Sequence, residues 1–194
     1  MGAAFRRFIK FGLPIFAVLQ ASPGSVSAAS YEDFQAGTLK GKIIVQWWEP
    51  DKFVFIPDEK DPLTFTRNNG DVIKPGRMLT DFGTIPRPLW IFRNYSPWGY
   101  APAFIVHDWL FHMKHCGIPG NEKYDHDIAA SVMAEVMKTM MESGKVEVAK
   151  LTLYAMHEAV DSRFGKSYWD DGKCVLPPTG AATKKPFYEF ELSF

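Results

Sequence analysis

The hydrophobic period of this chain changes once, near its middle, and that change limits the folds open to it. From Lys42 to Phe82 apolar and polar residues alternate in short runs broken by turn residues, the pattern of half-buried strands. The stretches Lys42 to Trp48 and Lys52 to Ile56 are rich in β-branched and aromatic residues and flank Glu49-Pro50-Asp51, which predicts a hairpin. Leu63 to Thr66 alternates strictly, Asn69-Gly70 is a hairpin-turn dipeptide and Val72-Ile73 opens a return strand. Pro75-Gly76 then turns the chain into a further short strand, Arg77 to Phe82. The prolines at 86, 88 and 97 predict an irregular loop, because each removes a backbone donor and fixes φ.

Beyond that loop the period becomes helical. Pro102 suits a first helical turn; Ala103, Phe104, Val106, His107, Leu110 and Phe111 fill one broad face, and Gly117 stops the helix. Asn121 is the expected cap of a second helix in which Ile128, Val132, Val136 and Met140 recur at spacing four, ending at Gly144. A third helix is predicted from Val146 to Phe164, with Leu153, Met156, His157, Val160 and Phe164 on one face and Gly165 as its stop. Phe187 to Phe194 reads as a final edge strand. The predicted class is α+β: a small antiparallel sheet from the N-terminal half packed with three helices from the C-terminal half.

The first 28 residues stand apart. Arg6, Arg7 and Lys10 give a positive start, Phe11 to Ala21 an apolar stretch, and Ser22 to Ala28 a small, polar tail ending Val26-Ser27-Ala28. That order is the signature of a cleavable signal peptide. The apolar stretch falls short of the roughly 20 residues that span a bilayer, so no permanent membrane span is expected after cleavage. Residues 29–194 are then a single domain of ordinary size, exported to the periplasm or secreted. Lys plus Arg and Asp plus Glu each total 22, so the net charge gives no general affinity for nucleic acid. The two cysteines, Cys116 and Cys174, either pair in an oxidising compartment or stay separate thiols. No zinc-type Cys-His spacing is present.

Three segments carry the residues with chemistry: Thr80-Asp81-Phe-Gly-Thr84-Ile-Pro86-Arg87, then Ala103-Phe-Ile-Val-His107-Asp108-Trp-Leu-Phe111, then Asp127 near the start of the next helix. In this order they resemble the domain of unknown function 1353 (DUF1353) family of phage and bacterial proteins, over roughly Val72 to Gly165. Thr84 stands where that pattern has serine, and Arg77-Met78 where it has a glycine and an aromatic residue. The resemblance implies a related fold and a shared polar cluster, and brings no established activity.

Adjacent helical residues point about 100° apart, so His107 and Asp108 face different partners. His107 shares its face with apolar residues, and Asp81 or Asp127 is the expected carboxylate that fixes its tautomer and leaves the other nitrogen as general base. Asp108 is the expected metal- or ligand-binding group, with Thr80, Thr84 and Arg87 in support. A divalent metal is the candidate cofactor. Asp108, His112 and His115 fall on one stripe at i, i+4 and i+7, and Asp125, His126 and Asp127 gather near the second helix start, both arrangements of zinc-ligand type. Two functions remain open: an exported protein with a hydrolase-type His/Asp site, or a non-catalytic binding or structural module, phage-derived or envelope-associated, whose polar cluster stabilises the fold. No nucleophile elbow, P-loop, HExxH or dinucleotide fingerprint occurs.

Overall fold

The alternating segments form strands where the side-chain period demands them. In the computed structural model, which describes residues 29–48, 52–80, 99–178 and 188–194, β2 (Lys42–Trp48) pairs antiparallel with β3 (Lys52–Ile56). Ile43 and Val45 are sealed on one face of β2, while Ile44 and Gln46 are only half-buried. β7 (Tyr188–Ser193) pairs with the other side of β2, and β6 (Met78–Thr80) with β3, giving a four-stranded sheet in the order β6-β3-β2-β7. The expected edge strand at the C-terminus is therefore present.

The strand half is two sheets rather than one. β4 (Thr64–Thr66) turns through Asn69-Gly70 into β5 (Val72–Ile73), as expected, but its second neighbour is β1 (Thr38–Lys40), so a three-stranded sheet β1-β4-β5 stands apart from the larger one. Both sheets are antiparallel. Gly41 permits the sharp turn between β1 and β2: its φ of +102° suits glycine, and a Cβ there would collide with the Pro62 carbonyl.

The helical half has four helices among the described residues where the sequence predicts three. α1 (Ala101–Cys116) carries Pro102 in its first turn and ends at Gly117, left-handed at φ 61°. α2 (His126–Glu142) is capped by Asp125, whose carboxylate accepts from the Ile128 amide at 2.8 Å. Asn121 is not the cap; it opens a 3-10 turn, Asn121–Lys123, and donates to the Ile118 carbonyl. The predicted third helix is two: α3 (Lys150–Val160) and α4 (Arg163–Asp171). The break lies at Asp161-Ser162, where Ser162 takes extended backbone and its hydroxyl accepts from the Gly165 amide, so Gly165 lies inside α4 instead of ending α3. Phe164 thereby leaves the apolar face of α3 and is 65% exposed.

The core lies between the sheets and α1 and α2, with Ile43, Phe55, Phe65, Phe104, Leu110 and Met137 fully sealed. From Val132 to Met141 α2 is buried on every side, which forces its charged members to find partners. Glu135 receives a two-pronged bond from Arg67 at 2.7 and 2.8 Å. Lys138 donates to the Tyr31 carbonyl at 3.0 Å and lies over the Tyr31 ring. These pairs fasten the N-terminal segment and the small sheet to α2. Cys116 and Cys174 form a disulfide, joining the end of α1 to the segment after α4. No helix among the described residues is long and apolar enough to cross a membrane.

Candidate functional site

Two buried histidines define two polar sites, and α2 contributes to both. On α1, His107 is 7% exposed and its Nδ1 lies 2.9 Å from the Ala129 carbonyl of α2. A carbonyl only accepts, so Nδ1 carries the hydrogen and the neutral ring keeps its lone pair on Nε2. The Phe111 ring packs 4.8 Å from the imidazole. Asp108 turns instead toward the large sheet and accepts the Thr80 hydroxyl of β6 at 2.6 Å. The two neighbours thus face different partners, and of the residues grouped with them by sequence Thr80 is the one that Asp108 holds. Asp81, Thr84 and Arg87 lie outside the described residues.

Asp127 does not orient His107. It precedes Ala129 by two positions, about 200° around α2, so a helix that turns Ala129 toward α1 turns Asp127 away; its carboxylate is 87% exposed. Among the described residues the partner at Nδ1 is the Ala129 carbonyl; Asp81, the other carboxylate expected at His107, is outside them. The Asp108-His112-His115 stripe does not act as one ligand set either. Asp108 is bound to Thr80, His112 stacks on Trp109, and His115 Nε2 donates to the Tyr168 and Trp169 carbonyls of α4 at 3.0 and 3.3 Å. Burial lowers the His112 pKa, and the neighbouring His115 lowers it further.

The second site lies where the first turn of α2 meets the α3–α4 junction. His126, 4% exposed, donates from Nε2 to the Val160 carbonyl at 2.9 Å. Its Nδ1 faces Asp127 at 3.4 Å and Asp161 at 3.8 Å. One ligand atom from each of His126, Asp127 and Asp161 lies within 4.8 Å of the others. Of the three residues grouped by sequence at this helix start, Asp125 is consumed by capping and Asp161 replaces it. Sequence reasoning missed Asp161 because a continuous third helix was read through it; the Asp161-Ser162 pair ahead of Arg163 was the available signal of a break and a cap. Beside this cluster a cleft of ≈ 370 Å³ is lined by Asp33, Arg67, Asp127, Glu135, His157 and Asp161, among others. Four carboxylates face one guanidinium there, so the cleft is electronegative.

An α+β protein with paired helices α1 and α2, each presenting a histidine held by a backbone carbonyl, is the class that fold and sites define. The profile of the family described as "Protein of unknown function (DUF1353)" matches residues 60–160, about half of the chain, and the chain belongs to that family. The match takes in His107, Asp108, His126 and Asp127 and stops one residue short of Asp161. No curated protein and no solved structure matches the chain.

Proposed function

We propose that this chain is an exported protein, periplasmic or secreted, with a hydrolase-type site in which His107 is the general base. One observation carries the reading: the 2.9 Å bond from His107 Nδ1 to the Ala129 carbonyl, which fixes the tautomer of the neutral ring with Nε2 as its basic atom. In such a site Nε2 takes a proton from water as its oxygen attacks the electrophilic centre, and returns that proton to the leaving group. Asp108, fixed by Thr80, supplies the polar wall that would bind substrate or a metal ion. Export is supported by the tripartite order of residues 1–28 and by the Cys116–Cys174 disulfide, a bond that persists in oxidising compartments. Residues 29–194 are then the mature single domain, and envelope polymer or lipid is the substrate class that fits the location.

A second reading, a non-catalytic module, is favoured by the burial of His107 and by contacts that tie α1 to α2 and to β6. His107→Asn separates the two, since the amide retains a donor near Nδ1 and lacks a base. The purified protein is assayed on chromogenic esters, phosphodiesters, phospholipid and peptidoglycan. Turnover of one class, reduced ~10²- to 10⁴-fold in a stably folded His107→Asn, supports the enzyme. Turnover unchanged in that variant removes His107 as the base, and no turnover of any class leaves the non-catalytic module.

A further inference from the structure

We infer that His126, Asp127 and Asp161 form a binding site for one divalent first-row metal cation, Zn²⁺ or Mn²⁺, at the edge of the acidic cleft. The inference uses no side chain of the His107 site and does not depend on the hydrolase reading.

The first ground is the tautomer of a sealed ring. His126 Nε2 is bound to the Val160 carbonyl, so it carries a hydrogen and the neutral ring presents its Nδ1 lone pair toward Asp127 and Asp161. The groups it meets there, the Asp127 and Asp161 carboxylates, are acceptors only. A buried ring's lone pair therefore meets two carboxylates at the protein surface, an arrangement that a positive charge among them would stabilise. A second proton on the ring or a metal ion supplies that charge.

The second ground favours the metal. The ligand atoms lie within 4.8 Å of one another, so a single ion can reach all three at ordinary bond lengths of ~2.0 to 2.2 Å after small side-chain rotations. A histidine that donates its remote ring N–H to a backbone carbonyl is the usual outer-shell support of a metal-bound imidazole. Both carboxylates line the cleft, which gives an entry path and leaves coordination positions for water. One imidazole with two carboxylates is a mixed N/O set, suited to Zn²⁺ or Mn²⁺ better than to the all-oxygen preference of Ca²⁺. The positive end of the α2 dipole opposes a cation here; Asp127 and Asp161, with Asp33 and Glu135 on the same cleft and Arg67 against them, outweigh it.

The test uses the full chain without a polyhistidine tag, stripped with chelator and titrated calorimetrically with Zn²⁺ and Mn²⁺ at pH 7.5. Ring-nitrogen NMR of His126 is recorded in parallel. We expect one equivalent bound, a His126 Nδ1 resonance that moves on metal addition, and a loss of affinity in D127N/D161N exceeding the ~10- to 100-fold that outer-shell changes cost. Both carboxylates are surface groups and an amide can donate to Nδ1, so that variant should melt in chelator no lower than the parent. Binding no tighter than that of the double variant overturns the site. So does stoichiometric binding that leaves the His126 resonance still, or a ring that stays protonated on both nitrogens at saturating metal.

Discussion

His107 and His126 are both buried and both bonded to a backbone carbonyl, yet they hold opposite tautomers. At His107 the bonded atom is Nδ1 and the carbonyl belongs to α2; at His126 it is Nε2 and the carbonyl closes α3. In the neutral rings the hydrogen is therefore on Nδ1 at His107 and on Nε2 at His126. Surroundings differ as well: an aromatic ring packs on His107, whereas two exposed carboxylates, which also line a cleft, lie at His126. Residue type alone does not assign chemistry. The atom consumed by the backbone decides which nitrogen of the neutral ring keeps the lone pair.

The largest test of that contrast is removal of the disulfide. It closes a sequence separation of 58 residues, for which loop-closure entropy gives ~4 kcal/mol. Urea unfolding of C116S/C174S should show a loss of that order, with hydrogen exchange rising first at the end of α1, the helix of His107. Equal loosening around His126 would mean that the two sites share one cooperative unit.

Next comes Gly165→Ala. A Cβ at Gly165 would collide with the Val160 carbonyl and stand 3.2 Å from His126 Nε2, so the carbonyl that fixes the His126 tautomer must move. A crowding cost of ~1 to 3 kcal/mol is expected in chemical denaturation, with weakened Zn²⁺ binding and His107 chemistry unchanged. Wild-type metal affinity in this variant would detach the Val160 bond from the site. Smaller is the gap between His107→Ala and His107→Asn. Alanine loses the bond to Ala129 and asparagine keeps a donor in reach, so alanine should be less stable by ~1 kcal/mol in paired melts. Equal stability would show that this bond contributes nothing to the fold.

Sequence showed what is local and periodic. Ile43 and Val45 alternate with half-buried neighbours, Asn69-Gly70 makes its turn, and Gly117 ends α1, because each is settled within a few residues by sterics or burial. β1 was not legible: Thr38-Leu39-Lys40 is too short for its alternation to be told from chance, and it is a strand because Thr38 and Lys40 pair with Thr66 and Thr64. The α3–α4 break was hidden by a helical period that runs across it. Of the candidate sites, the His107-Asp108 division followed from helix geometry. Their partners did not: the Ala129 and Val160 carbonyls are backbone groups that no residue type advertises, and Asp161 reaches His126 only through tertiary packing.

The smallest expected effect is on pH dependence, and it falls on the His107 side of the comparison. His112 lies further along α1 and stacks on Trp109, its Nδ1 3.8 Å from Cys116 Sγ; burial first, then the nearby His115, lowers its pKa below the ordinary 6.5. The unfolded chain then binds more protons than the folded one in the interval between the lowered value and 6.5, so stability rises with pH there. Read downward, the full contribution is present above pH 6.5 and is lost as pH falls toward and through the folded value. Partial exposure keeps the effect modest. Melting temperatures across that interval should fall less steeply for His112→Gln, which does not titrate, than for the parent. Parallel slopes would show that His112 is solvated enough to titrate alike in both states, and that the α1 end beside the disulfide is more open than its packing against Trp109 implies.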